Sequence, residues 1–256
     1  MLARPAIFAL CGLAFGSFLT VVVTRAPHHQ SVVTGRSHCP SCQATIMARD
    51  NVPVLSYVLL KGRCRHCAER ISPEYPLTEI ATAVLFALSS LAFPDAFVAA
   101  LMALFLGILL AVTLTDVHHR LIPNAIMYPS LALFLLALVA GRALGRDIDL
   151  GGAAIGFGAC GAGTLAVAVI SPRGLGMGDV KLAALIGMVL GSRGLDHIAV
   201  ALGLAVLAGG IGGIVALAAG RSRSSTMPFG PYLAAGGLLA TFWSGPIARI
   251  YLSLLR

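Results

Sequence analysis

FVAALMALFLGILLAVTLTD, residues 97–116, carries nineteen uncharged residues before its first charge, Asp116. An α-helix needs about 20 consecutive, mostly apolar residues to cross the hydrocarbon core of a bilayer. The stretch therefore predicts a membrane helix with a carboxylate at its end. The whole chain has the same character. Of its 256 residues, 58% are hydrophobic and 11% charged, against roughly a half and a quarter in soluble domains. Mean hydropathy is +0.91. That much apolar surface exceeds what a water-soluble core can hide, so an all-α polytopic membrane protein is expected. The net charge of +8 does not point to nucleic acid, because basic loops beside membrane helices account for it.

Working outward gives about eight transmembrane helices, over residues 5–24, 77–93, 97–115, 125–140, 150–170, 180–190, 198–219 and 231–254. The sixth is short for a crossing. The first lacks a small-x-small cleavage site before the basic loop that follows, so it is expected to be a retained helix and not a signal peptide. Glycine-rich runs at 151–163 and 209–213 predict close helix approach. The expected domains are a first transmembrane helix (1–24), a small four-cysteine loop domain (25–76) and a membrane-embedded domain (77–256).

Lys and Arg set the orientation. Placing residues 25–76 inside puts twelve of the eighteen on that side, Arg25, Lys61 and Arg70 among them. Basic residues favour the cytoplasmic side, so the loop is expected there and both termini outside. The third span then runs inward to Asp116. The fifth also runs inward, and the chain turns back at Asp179. PFGPY, residues 228–232, opens the last span at the same face.

Cys39-Pro-Ser-Cys42 and Cys64-Arg-His-Cys67 are two C-x2-C knuckles. Four thiolates at this spacing suit a closed, tetrahedral, structural zinc site. Two disulfides are the alternative, and a reducing cytosol argues against them. His38 and His66 adjoin the cysteines and are substitute ligands to weigh. A loop of about fifty residues lacks a robust core, and a metal staple compensates for that. Cys11 and Cys160 fall in apolar spans and are expected to be packing residues.

An aspartate at a helix boundary is often only a cap or a solvated interfacial group. Two features favour more for Asp116 and Asp179. Acids are scarce, ten in all, and these two share one predicted membrane face. In addition Gly174, Gly176 and Gly178 precede Asp179 and let another chain approach its backbone closely. Two carboxylates sharing one proton can activate water and polarise a carbonyl. Asp179 begins a helix, where the dipole favours a carboxylate, and Asp116 ends one. The shared proton is therefore expected on Asp116. His118 and His119 lack a third ligand of clear spacing, so no catalytic metal is expected. Asp147, Asp149 and Asp196 read as solvated loop residues. No G-x-S-x-G elbow is present.

The motifs together resemble the bacterial type IV prepilin peptidases, the leader peptidases of the GXGD aspartic protease group. They are GLAFGSFLTVVVTR (12–25), CPSCQATIMARDNVPVLSYVLLKGRCRHC (39–67), SPEYPLTE (72–79), DVHHRLIPN (116–124), GLGMGDVKLAALIG (174–187) and PFGPYL (228–233). The resemblance implies cleavage of the basic leader of type IV prepilins or type II secretion pseudopilins after a Gly, at the cytoplasmic face of the bacterial inner membrane. It makes Asp116 and Asp179 the catalytic pair, with Gly176, Gly178, Pro228 and Gly230 in the active-site loops. It further implies methylation of the new N-terminus with S-adenosylmethionine, at residues not assignable from sequence. Asp50, Asn51, Glu69 and Glu79 are polar positions that could contribute, or could be solvated or capping. Thr20 stands where many members carry Asn, and MARDNVP lacks the aromatics common before that Asp-Asn; both departures bear on methyl transfer, so a peptidase without it is the alternative. The implied partners are the pilin substrates and the lipid bilayer, with no nucleic acid. An ion-coupled transporter could use two membrane aspartates as a proton relay, but the halves show no internal repeat and the cysteines would stay unexplained. A zinc-stabilised scaffold without catalysis would tolerate Asn at both aspartates.

Overall fold

The computed structural model of the chain describes residues 3–28, 30–32, 34–171, 175–219 and 228–254, with side chains as far as residue 247. Gly174 lies outside the described residues, as do the basic Arg173, Arg221, Arg223 and Arg256. The described residues form nine α-helices: α1 (Ala3–Arg25), α2 (Leu55–Leu59), α3 (Glu74–Ala92), α4 (Ala96–His119), α5 (Asn124–Ala143), α6 (Leu150–Ile170), α7 (Met177–Gly191), α8 (Leu195–Ala218) and α9 (Gly230–Leu254). All but α2 coincide with the eight apolar runs. The protein is an all-α polytopic membrane protein. Its α1, α3, α4, α5, α6 and α8 are long and apolar enough to cross a bilayer.

The chain divides into two compact units, Met1–Ala111 and Val112–Arg256. In the first, α1 lies along α3. A Cβ at Gly12 or Gly16 would come 2.7 Å from the α3 backbone, at Ala83 and Glu79, so glycine lets the two helices touch. Phe15 packs beside them on Phe86, ring centroids 5.5 Å apart. Cys11 is exposed, contrary to the packing role expected of it. Gly12 and Gly16 turn toward α3, and Cys11 lies off that contact face. Cys160, in the second unit, is buried as expected, close against Gly187.

In the second unit α7 is the centre. Its 15 residues span about 22 Å at 1.5 Å per residue, short of a full crossing. Every residue from Leu182 to Gly191 is buried, and α5, α6, α8 and α9 all pack on it. A helix apolar all round and enclosed by other helices is a core element and needs no bilayer-spanning length. Its backbone meets that of α6 directly, Gly187 against Gly156 and Gly191 against Gly152. Asp149 is exposed, as expected, and also caps α6: its Oδ1 accepts the Gly152 N–H at 2.9 Å.

Candidate active site

Asp116 lies in the last turn of α4, which runs one turn beyond the predicted end. Arg120, at φ 51, stops the helix, and its N–H donates to the Asp116 carbonyl at 2.8 Å. Asp179 lies in the first turn of α7, which starts three residues before the predicted Val180. Its Oδ2 accepts the Gly176 N–H at 3.0 Å, and its own N–H donates to the Gly176 carbonyl at 3.1 Å. The capping role is thus real, but it occupies one carboxylate oxygen only. Asp179 Oδ1 and Asp116 Oδ2 are both buried without a hydrogen-bond partner among the described residues. A buried acceptor left unpaired costs about 1–3 kcal/mol, so two of them in one place call for a reason.

Three residues bring the pair together. Ile122, just past α4, fills the space beside Gly178: a Cβ there would come 2.8 Å from Ile122 Cβ. A Cβ at Gly230 would stand 2.6 Å from Asp116 Oδ2 and 3.2 Å from Ile122 Cδ1. Gly178 and Gly230 therefore flank one side chain, with an aspartate next to each. The two carboxylates are near enough to interact electrostatically. Each glycine is required by a close approach.

The four knuckle cysteines form a second group. Their Sγ atoms all lie within 4.8 Å of one another, with Cys39 to Cys67 at 3.8 Å and Cys42 to Cys64 at 4.0 Å. A tetrahedral ion with metal–sulfur bonds of 2.3 Å separates its sulfurs by about 3.8 Å. The two knuckles are built alike. An isolated β-bridge closes each, His38 to Thr45 and Arg63 to Arg70. The residue after each second cysteine is left-handed, Gln43 at φ 57 and Ala68 at φ 60. The N–H groups of Cys42 and Ser41 hold the Cys39 thiol down to about 6, and those of Cys67 and His66 lower Cys64. The Glu69 N–H favours the Cys67 thiolate, yet desolvation and the other sulfurs push that thiol up to about 12. Four sulfurs this close do not all ionise without a cation among them. The group can hold a metal ion. Among the described residues it consists of the four cysteines alone; His38 and His66 are exposed beside it.

Residues 103–217 match the "Type IV leader peptidase family" and residues 10–93 the "Bacterial Peptidase A24 N-terminal domain". The "Prepilin leader peptidase/N-methyltransferase" of Bacillus subtilis (strain 168) is 36% identical over 254 residues, covering 97% of this chain and 98% of its own. The chain belongs to the type IV leader peptidase family. Two further relatives cover it as fully. The "Type 4 prepilin-like proteins leader peptide-processing enzyme" of Escherichia coli O78:H11 is 36% identical, over 99% of this chain and 96% of its own. The Pseudomonas aeruginosa "Prepilin leader peptidase/N-methyltransferase" is 34% identical, over 98% and 95%. No solved structure matches.

In this member of the leader peptidase family both aspartates fall within the peptidase match and all four cysteines within the N-terminal one. Several contacts that the sequence did not reveal support the aspartates. Phe229 packs on Ala168, Leu175 and Val180, the neighbour of Asp179. It also meets Gly209 of α8, and Tyr232 meets Gly212. PFGPY is thus wedged between α8 and the start of α7, and it carries Gly230 to Asp116. Pro228 is half-buried at its head. Lys181 Nζ donates to Asn124 Oδ1 at 2.5 Å and stands 4.5 Å from the Tyr128 ring centroid, which ties α7 to the start of α5. His118 and His119 are exposed and stack edge to face on each other. Of the polar positions near the cysteines, Asp50 pairs with Arg65 at 2.6 Å. Glu79 accepts the Val54 N–H at 2.7 Å, and Glu69 accepts the Arg70 N–H at 3.1 Å. All three make hydrogen bonds within the protein.

Proposed function

We propose that the protein is an aspartic endopeptidase that removes the basic leader of type IV prepilins or type II secretion pseudopilins after a Gly, and that it then methylates the new N-terminus. Asp116 and Asp179 are its catalytic pair. Asp179, held by the Gly176 N–H at a helix N-terminus, is the carboxylate. Its partnerless Oδ1 takes a proton from the attacking water. Asp116 carries the shared proton and donates it to the scissile carbonyl oxygen. The tetrahedral diol collapses as Asp179 passes the water's proton to the leaving amine nitrogen, the C–N bond breaks, and a diol hydroxyl returns a proton to Asp116. Gly176, Gly178, Pro228 and Gly230 form the loops that admit the extended substrate to the pair.

The four cysteines bind zinc as a structural staple for residues 25–76, between the first helix (1–24) and the peptidase domain (77–256). Thiolate chemistry and the tetrahedral spacing support zinc. S-adenosylmethionine, when bound, supplies the methyl group for the new amine. Methyl transfer rests on the names of the relatives, and Asp50, Glu69 and Glu79 are not assigned to it. The Lys and Arg distribution supports an inner-membrane protein with the cysteine loop and both aspartates at the cytoplasmic face and both termini outward.

One observation carries the proposal: two buried carboxylates, each with a partnerless oxygen, stand around Ile122, Gly178 and Gly230. The purified protein in detergent is mixed with a prepilin bearing its basic leader, with and without S-adenosylmethionine. Mass spectrometry is expected to find the shortened pilin in both, and an added methyl mass only with the donor. An intact prepilin in both contradicts the peptidase; a shortened but never methylated pilin contradicts the transferase alone.

A further inference from the structure

Residues 52–59 of the cysteine loop hold apolar side chains that nothing above uses. Val52, Leu55, Val58 and Leu59 are all exposed, Leu59 to 71%. The last three recur at i, i+3 and i+4, hence on one face of α2. Scattered exposed apolar residues are ordinary, but a contiguous patch marks a contact surface.

The chain fixes the level at which this patch sits. Val54, just before α2, donates its N–H to Glu79 Oε2 at 2.7 Å. Glu79 is buried on α3, four residues after the exposed Tyr75 and two after the exposed Leu77. Tyrosine in the first turn of a membrane helix belongs at the headgroups, and an exposed Leu77 or Ile80 belongs to the acyl chains. The bond therefore keeps Val54 within one side chain's length of the Glu79 backbone, which lies about 6 Å along α3 past Tyr75, four residues at 1.5 Å each. Val54 has φ 60, a conformation strongly disfavoured for a β-branched residue. The buried carboxylate holds the turn that begins α2 there. Basic side chains flank α2 in sequence: Arg49, Lys61 and Arg63 are exposed, and residues 25–76 hold seven Lys or Arg against three acids. Such a surround attracts anionic headgroups.

We infer that α2 is an interfacial helix. Leu55, Val58 and Leu59 enter the boundary between headgroups and acyl chains of the membrane that α1 and α3 cross, with Lys61 among anionic headgroups. The cysteine loop is thereby laid on the bilayer surface, tethered by its two helices and by α2.

Trp243 is the single tryptophan of the chain, so Leu59→Trp in a Trp243→Phe background reports on α2 alone. The full chain is reconstituted into phosphatidylethanolamine–phosphatidylglycerol vesicles, with and without bromine on the acyl chains. The expected result is blue-shifted emission, cut by about half by brominated lipid and untouched by aqueous iodide. Val58→Trp gives the same reading if the first variant fails to reconstitute. Red-shifted emission quenched by iodide overturns the inference. Blue-shifted emission that neither quencher reaches also overturns it, because protein and not lipid then covers the face.

Discussion

Gly230 stands so near Asp116 that a Cβ in its place would lie 2.6 Å from the carboxylate Oδ2. The first residue of α9 is therefore part of the aspartate's wall, although more than a hundred residues separate the two. With Ile122 and Gly178 it sets the space beside the partnerless oxygen. In the proposed mechanism a small displacement there moves a reacting group and not merely a surface.

Gly230→Ala is expected to lower the rate of prepilin cleavage about 100-fold, the scale of an ångström-level misplacement. Gly158→Ala and Gly163→Ala serve as controls, because a Cβ at either meets nothing within 4 Å. Both should cleave at the unaltered rate. Equal rates for all three variants would show that the contact with Asp116 has no bearing on catalysis.

The proton shared by the pair is expected on Asp116. Asp179 lies in the first turn of α7, where the helix dipole favours a carboxylate, and Asp116 lies in the last turn of α4, where it does not. Infrared difference spectra should show a protonated-carboxyl stretch that survives in Asp179→Asn and disappears in Asp116→Asn. Its disappearance in Asp179→Asn alone reverses the assignment.

Cys39→Ser or Cys64→Ser is expected to lower bound zinc, and the double variant to fall from about one ion per chain to near none. Residues 25–76 should become sensitive to proteolysis while cleavage of prepilin persists, since the aspartates belong to a different part of the chain. Metal content can be read by emission spectrometry on the purified protein. Undiminished zinc in the double variant rules out the cysteine site.

Ala68 follows the second knuckle at φ 60, where a side chain costs about 1–2 kcal/mol. Ala68→Gly should relieve part of that strain and slow the loss of zinc to a chelator. Faster loss would mean that the left-handed turn is not a constraint on the site.

Much of this was legible in the sequence, for identifiable reasons. Most runs of apolar residues have the length of a bilayer, so eight helices are legible along residues 5–254, although their ends shift by a few residues and the sixth is a short core helix. Asp116 and Asp179 stand out because charge is rare around them. The knuckle spacing brings four sulfurs together by local turns. What stayed hidden depends on which face of a helix meets which neighbour. Uniform apolarity does not separate a lipid-facing helix from a buried one, so α7 could not be recognised as a core. Cys11 was expected inside for the same reason. The contact between Gly230 and Asp116 and the bond from Val54 to Glu79 join distant segments and leave no local signature. PFGPY stood out because it opens the last span at the face of the aspartates and belongs to the resemblance, but neither gives the wedge that Phe229 makes against Val180.

The most direct measurement is the rate of prepilin cleavage by Asp116→Asn, Asp179→Asn and the double variant, each shown to be folded in detergent. Two groups acting as one unit fail together. Each single variant is therefore expected to leave the prepilin intact, and the double variant to be no worse than either. Cleavage at the unaltered rate by either single variant would contradict the account.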